Sequence, residues 1–415
     1  MLTKSLFEQA LGIEKPWYIQ DIKFDVAKKQ LDIDLDFYKG SVFEYIDPAT
    51  GEVGSYKAYD TELKTWRHLN FFEHHCYLHC RTPRVQLESG AVRTISPPWA
   101  GLNSGFTLLF EAFILELCTY MPVHAVSKIV AVNDGKLWRL LQQYIQRARA
   151  QADFSTLERL GIDETSRAKH HEYVTVFVDL EQGRSVFITP GKSSETLSAF
   201  VADLEQHRGQ RDQIRQVSID MSPAFIKGTR EELPQADITF DPFHVVKIIN
   251  TAVDNVRRQE VKEQDILKGY RYLFLKNYVH LTPKEKKSFD QLKLSHYRLQ
   301  TWRAYHLREN FQKIYRAETL DAFERLLKKW YFWATHSRLE PIIDAAQTIK
   351  RHWDGIINWQ RTQINNGILE GLNSVIQAVK ARARGFRNVN YFITMAYLVT
   401  ADLDFRCVNK YARTH

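Results

Sequence analysis

Three acidic residues lie far apart in the chain, yet each has surroundings that would let the three work together. Asp163 closes a short apolar segment, Leu160-Gly161-Ile162-Asp163-Glu164-Thr165-Ser166, read as a strand. Asp220 closes a second, Val217-Ser218-Ile219-Asp220-Met221-Ser222-Pro223. Glu370 lies in Gly367-Ile368-Leu369-Glu370-Gly371-Leu372-Asn373-Ser374, at the start of a predicted helix. Two aspartates at strand ends and a glutamate on a helix supply the oxygen ligands that a pair of hard divalent cations requires for phosphodiester chemistry. Such cations sit about 4 Å apart, one at the attacking oxygen and one at the leaving oxygen. Crowded bare carboxylates repel, raising at least one pKa until Mg2+ neutralises them. Taken singly, each acid reads as an ordinary solvated strand or helix end. Only their joint placement makes a site.

The elements around them predict that placement. After the first acidic strand come Tyr173 to Leu180, a turn at Glu181-Gln182-Gly183-Arg184, and Ser185 to Thr189, which read as a three-strand meander. A helix from Ser194 to His207, capped by Ser194, leads to the strand ending at Asp220. A helix begun by Pro223, a strand over Asp237-Ile238-Thr239-Phe240-Asp241 and a helix from Pro242 follow. Three antiparallel strands, then helix, strand, helix, strand, helix, is the order of a ribonuclease-H-like mixed sheet. In such a sheet the first and fourth strands are neighbours, which brings Asp163 beside Asp220.

Residues 243–360 read as all-helical, polar and aromatic, with Trp302, Trp330, Trp333, Trp353 and Trp359 among many lysines and arginines. Aromatics interleaved with basic residues can stack on DNA, and they can equally anchor a helical bundle core. The helix that carries Glu370 continues to Gly385 as its terminator. Lys380, Arg382 and Arg384 lie just beyond the acid, where they could hold a phosphate backbone.

Upstream, residues 1–100 read as a small β-rich module. Leu31-Asp32-Ile33-Asp34-Leu35-Asp36-Phe37 alternates strictly, as a half-exposed strand does, and Asp47-Pro48-Ala49-Thr50-Gly51 is a turn. His74, His75, Cys76, His79 and Cys80 crowd together, but zinc sites take two separated ligand pairs and no second cysteine pair exists. Residues 96–103 read as a linker. Three helical segments near 105–120, 123–131 and 134–151 then suggest a helix-turn-helix, with Asp134 capping the last. On that last helix Leu137, Leu140, Leu141, Tyr144 and Ile145 recur at helical spacing, opposite Lys136, Arg139, Arg147 and Arg149. A recognition helix in a major groove has this form, and so does an ordinary amphipathic three-helix unit.

Composition bounds these readings. A chain of 415 residues exceeds one ordinary core, and 44% apolar content with 18 Gly and 12 Pro excludes disorder. A net charge of +8 favours a polyanionic partner. The four cysteines are too few and scattered for a disulfide framework, pointing to a reducing interior. The N-terminus lacks the apolar core of a signal peptide, and the stretch from Phe106 to Val123 carries Glu111 and Glu116, too polar to span a bilayer. A cytoplasmic protein without membrane contact is expected.

From about Trp66 to Phe392 the chain resembles the DDE transposases of bacterial insertion sequences, the ISL-three-like group with an N-terminal zinc ribbon, a helix-turn-helix and a helical insertion before the last acid. The likeness is densest at Gly161-Ile162-Asp163-Glu164, Ser218-Ile219-Asp220-Met221-Ser222, Phe240-Asp241-Pro242-Phe243-His244-Val245 and Glu370-Gly371-Leu372-Asn373. It implies an α/β plus α protein: a degenerate zinc-ribbon-like module at 1–100 and a helix-turn-helix at 101–152, then a ribonuclease-H-like catalytic core at 153–242 and 361–415, interrupted by the insertion at 243–360. It implies that Asp163, Asp220 and Glu370 are the catalytic triad holding two Mg2+ or Mn2+ ions. It also implies DNA contacts from Lys136, Arg139, Arg147, Lys380, Arg382 and Arg384. Double-stranded DNA, as element terminal repeats and target, is the expected partner of a homodimer or larger assembly at the bacterial nucleoid. The implied reaction is hydrolytic cleavage at element ends, followed by attack of the freed 3′-hydroxyl on target DNA. Asp241 and His244 fall near the site on this reading.

Two departures are visible. The family's zinc-ribbon cysteine pairs are missing around Phe43 to Asp47 and around Leu87 to Ser89, so no structural zinc is expected. A basic residue two turns after the glutamate is Gln377 here, with Lys380 as its substitute. The alternatives are a lapsed transposase that only binds DNA and a nuclease of the same fold without strand transfer.

Overall fold

The computed structural model describes residues 2–47, 51, 53–102, 104–168, 172–295, 298–364 and 367–412. The turn expected at 47–51 and the end of the expected linker at residue 103 fall largely outside them. The chain is a mixed α/β protein that divides into two units: residues 1–152 with 381–384 and 397–415, and residues 153–380 with 385–396.

The first unit opens with helix α1 (Leu2–Leu11) and strands β1 (Trp17–Asp25), β2 (Gln30–Phe37), β3 (Val42–Ile46), β4 (Val53–Lys57), β5 (Asp60–Arg67), β6 (His75–Gln86) and β7 (Val92–Thr94). One sheet runs β1-β2-β6-β5 with β7 on β6, and β3 and β4 form a separate hairpin. The alternation of β2 buries Leu31, Ile33 and Leu35 on one face. The same alternation sorts the His/Cys cluster on β6. Cys76 and Cys80 point into the core, where burial pushes both thiols up to about 12. His79 lies on the other face, 2.7 Å from Asp32 and 2.9 Å from the Thr65 hydroxyl.

Residues 96–102 do not act as a linker. Trp99 is buried and meets Trp17 and Trp66 edge-on, at centroid distances of 5.2 and 6.2 Å. The large apolar area of one indole outweighs the Pro-rich composition that suggested a free connection. Helices α2 (Leu108–Tyr120), α3 (Val123–Val130) and α4 (Asp134–Arg149) follow. The cap of α4 is Asn133, whose side chain accepts from Gly135 N, so the residue expected to cap, Asp134, instead occupies the first turn. There its charge still suits the positive helix end.

In the second unit the sheet strands are β8 (Arg159–Ala168), β9 (Glu172–Asp179), β10 (Arg184–Pro190), β11 (Gln216–Ile219) and β12 (Asp237–Phe240), in spatial order β10-β9-β8-β11-β12. Strand β9 is antiparallel to β8 and β10, while β11 runs parallel to β8 and β12. Helices α5 (Glu195–Gln206) and α6 (Pro223–Glu232) make the crossovers. Ser194 precedes α5 without a side-chain cap bond, contrary to expectation; Thr196 instead donates to the Ser193 carbonyl at 2.8 Å. Phe200 of α5 stacks on Phe177 of β9 at 4.7 Å, closing one face of the sheet.

From Pro242 to Thr362 the described residues hold helices and no strand: α7 (Pro242–Glu260), α8 (Arg271–Leu275), α9 (Pro283–Ser295), α10 (Gln300–Ile314), α11 (Leu320–Thr335), α12 (Glu340–Arg351) and α13 (Trp353–Thr362). Trp302 and Trp330 are core anchors, whereas Trp333 is exposed under the Lys329 ammonium. Helix α13 covers the edge strand β12: Gly355 lies against Phe240, and Asn358 Nδ2 donates to the Ile238 carbonyl at 3.0 Å. A paired or covered edge cannot recruit a foreign strand. Helices α14 (Gly367–Arg382) and α15 (Val389–Thr400) end the fold, and Arg384 and Gly385 take positive φ of 57° and 92° to turn the chain between them. Among the described residues no helix is long and apolar enough to cross a membrane.

Candidate active site

Strand β8 does not stop at Ser166, the last residue of the stretch read as a strand, but runs on to Ala168. The polar residues Glu164, Thr165 and Ser166 stay extended because β9 continues to pair with them. What stops is the parallel partner. Pairing with β11 ends at Ser218 opposite Gly161, and two positions further along each chain stand Asp220 and Asp163. The two aspartates therefore occupy equivalent positions at the mouth between β8 and β11, and the charge of Asp220 is felt at Asp163. A backbone N–H orients each: Glu164 N donates to Asp163 Oδ1 at 2.8 Å, and Ser222 N donates to Asp220 Oδ1 at 2.8 Å.

Helix α14 crosses the face of β8 in matched steps. A Cβ on Gly161 would lie 3.2 Å from Leu369 Cδ1. Asn373 Nδ2 donates to Asp163 Oδ2 at 2.6 Å, and Gln377 Nε2 donates to the Thr165 hydroxyl. Two residues of strand advance about 6.6 Å and four of helix about 6 Å, so positions 161, 163 and 165 stay in phase with 369, 373 and 377. Glu370 is exposed on α14, one turn before Asn373 and beside this stripe. Sequence reasoning singled out the glutamate and missed Asn373; the polar residues in phase with Leu369 were the available signal.

The surroundings are acidic. Burial, with repulsion from Asp220 and Asp241, raises the Asp163 pKa against the opposing effects of the Glu164 N–H and of His244. Glu164 is also raised, first by burial and then by Asp220 and Asp163, against the pull of Lys192 at 3.9 Å. Asp241 is buried and caps α7, accepting from Phe243 N at 2.8 Å, with His244 Nε2 3.9 Å from its other oxygen. Among the described residues no three histidine, cysteine or carboxylate side chains converge closely enough to hold a metal ion. The donor set nevertheless suits a hard cation. It consists of carboxylates, with burial and the charge of Asp220 raising the pKa of both Asp163 and Glu164, next to an Asn373 Oδ1 that is buried without a hydrogen-bond partner.

The basic residues predicted to meet DNA fall into two groups. On α4, Arg139 and Arg147 are exposed, opposite buried Leu137, Leu140, Leu141 and Tyr144. Lys136 is partly buried over the Phe106 ring at 4.0 Å, and burial, with Arg139 nearby, lowers its pKa. On α14, Lys380 donates to the Ser166 carbonyl and Arg382 to the Tyr120 carbonyl at 2.6 Å, while Arg384 is exposed. Gln377 is taken up by β8.

Comparison with known proteins identifies the class. Residues 160–396 match the DDE family ISL3, described as "Transposase", and residues 95–145 match the helix-turn-helix domain of transposase family ISL3. The first match spans more than half of the chain, which therefore belongs to the ISL3 family of transposases, bearing out the resemblance read from its motifs. Among individual relatives, the chain is 27% identical over 439 aligned positions to the transposase for insertion sequence element IS1557 of Mycobacterium tuberculosis (strain CDC 1551 / Oshkosh), covering 95% of each. It is 29% identical over 345 positions to the transposase for insertion sequence element IS1001 of Bordetella parapertussis, covering 81% of this chain and 84% of that one.

Proposed function

We propose that this chain is an insertion-sequence transposase in which Asp163, Asp220 and Glu370 form the reacting site of a ribonuclease-H-like core. One observation carries the reading. Parallel pairing of β11 with β8 sets Asp220 level with Asp163, and the Asn373 bond ties the helix bearing Glu370 to the same strand. The three carboxylates would hold Mg2+ or Mn2+, which when bound neutralises their repulsion and supplies Lewis acidity at the scissile phosphodiester.

The residues of the chain then have separate tasks. The Glu164 N–H and the Asn373 amide fix both oxygens of Asp163, and the Ser222 N–H fixes Asp220. Exposed Arg139 and Arg147 on α4 hold duplex DNA at the element ends, with Lys136 packed behind them. Arg382 and Arg384 are the exposed members of the basic group after Glu370, while Lys380 and Arg382 also shape the end of α14 through carbonyl bonds. The reaction is cleavage by water at the element ends, then attack of the freed 3′-hydroxyl on target DNA. Bringing two ends together calls for a homodimer or larger assembly, working on DNA in the bacterial cytoplasm.

The test incubates purified protein with labelled element-end DNA and Mg2+, comparing wild type with Asp220→Asn. Nicked and joined products from wild type alone support transposition. Nicking without joining would reassign the chain to a nuclease, and binding with no cleavage would make it a lapsed, DNA-binding relative.

A further inference from the structure

We infer that Asn373 is a fourth member of the cation-holding set, a positioning residue whose amide nitrogen holds Asp163 and whose carbonyl oxygen receives the cation or a water bound to it. This inference rests on the reading of Asp163, Asp220 and Glu370 as the metal site.

The geometry motivates it from both ends of one amide. Nδ2 donates to Asp163 Oδ2 at 2.6 Å, which fixes the amide's orientation, because its oxygen facing a carboxylate would be repelled. Oδ1 is thereby turned away from Asp163, and it is buried with no hydrogen-bond partner. A buried acceptor left unpaired costs about 1–3 kcal/mol, so such an atom in a native site calls for a ligand. An amide oxygen is a good donor to Mg2+ or Mn2+ and adds no negative charge to a site already crowded with carboxylates. Asn373 also lies one helical turn after Glu370, so the amide and that carboxylate share one helix. Asp163 Oδ1 is taken by the Glu164 N–H, leaving the Asn373 amide as the group that sets the direction of Oδ2.

Mn2+ binding by the full chain, followed as loss of the free-ion magnetic resonance signal, tests the inference alongside thermal unfolding with and without Mn2+. Asn373→Ala is expected to weaken Mn2+ binding about 10- to 100-fold, the usual effect of losing a group that orients a metal ligand. Asn373→Asp keeps the shape and serves if the alanine variant does not fold. Its added carboxylate should lower the melting temperature in metal-free buffer, and Mn2+ should restore it by a larger increment than in wild type. A purely structural clamp would give the same lowering with and without Mn2+. If Asn373→Ala binds Mn2+ as wild type does while Asp163→Asn does not, the inference is wrong and the site reading stands. Should Asp163→Asn also bind as wild type does, the site reading itself fails and takes the inference with it.

Discussion

Gln377 on α14 donates a hydrogen bond to the Thr165 hydroxyl on β8, one step along the ladder from the bond between Asn373 and Asp163. Thr165 is buried, so its hydroxyl depends on a protein partner, and Gln377 also reaches the Ser166 carbonyl at 3.3 Å. The position where the family resemblance leads one to expect a basic residue is therefore spent on docking the helix. Gln377→Ala should cost about 1–3 kcal/mol by leaving the Thr165 hydroxyl unpaired, measured as a lower denaturant midpoint with an unchanged slope. An unaltered midpoint would mean that the ladder contributes nothing to holding α14.

Asp163 should weaken the metal-free protein. Burial, then Asp220 and Asp241, raise its pKa above the ordinary 3.8, so folding favours its neutral form. Below pH 3.8 the residue is protonated in both states and costs nothing; as pH climbs through the raised folded value, the folded state loses stability relative to the unfolded one. Asp163→Asn in chelator at pH 7 should therefore melt about 2–4 °C above wild type for each kcal/mol relieved. The difference should close toward pH 3, while nicking is lost at every pH. A variant that melts lower at pH 7 would show that the carboxylate is held by interactions stronger than its repulsion.

How far the sequence disclosed this site depends on which forces were local. Asp163 and Asp220 could be brought together from the order of elements, because a strand after a crossover helix tends to pair with an earlier neighbour. The apolar alternation of Leu31, Ile33 and Leu35 likewise reported a buried face directly. Other features were set by partners remote in the chain. Strand β8 outruns the Leu160–Ser166 stretch that reads as a strand, because pairing with β9 carries it on to Ala168. Trp99 sits among prolines but is drawn into a core built by Trp17 and Trp66. Asn133 and Asp134 are both competent caps, and only backbone geometry chooses between them. Asn373 stood in the sequence only as the last residue of the motif Glu370-Gly371-Leu372-Asn373, with no task of its own, because its partner lies 210 positions earlier.

Arg139 and Arg147 should carry the non-specific part of DNA binding by α4. Both are exposed, whereas Lys136 is partly buried against Phe106. Each arginine that neutralises a phosphate adds about 0.9 to the slope of log affinity against log salt. Arg139→Ala and Arg147→Ala should each flatten that slope by roughly this amount with no change in melting temperature, read by fluorescence anisotropy on element-end duplex. Lys136→Ala should instead lower the melting temperature of the helical unit, since it removes the cation packed on the ring. Equal salt slopes for all three variants and wild type would place the DNA on another face.

Glu111 is the acid on which the helical unit's own stability turns. It is fully buried on α2 and accepts from Tyr144 Oη at 2.6 Å, from Leu102 N at 3.0 Å and from the Ser104 hydroxyl, while Asn409 Nδ2 donates to the same tyrosine oxygen at 2.8 Å. Burial raises its pKa, only partly opposed by the Ser104, Tyr144 and Leu102 bonds. The neutral form is therefore favoured on folding, and the associated loss of stability is absent below the ordinary 4.5 and grows as pH rises through the raised folded value. Glu111→Gln should flatten the dependence of unfolding on pH above 4.5, because the buried charge is gone and an acceptor remains. Glu111→Ala should destabilise by about 3–5 kcal/mol near pH 4, where the acid is neutral, and by less as pH rises, as it leaves a cavity and strands several buried donors at once. Thermal melts of both variants between pH 4 and 8 separate the two effects, and a glutamine variant as pH-sensitive as wild type would move the titrating group elsewhere.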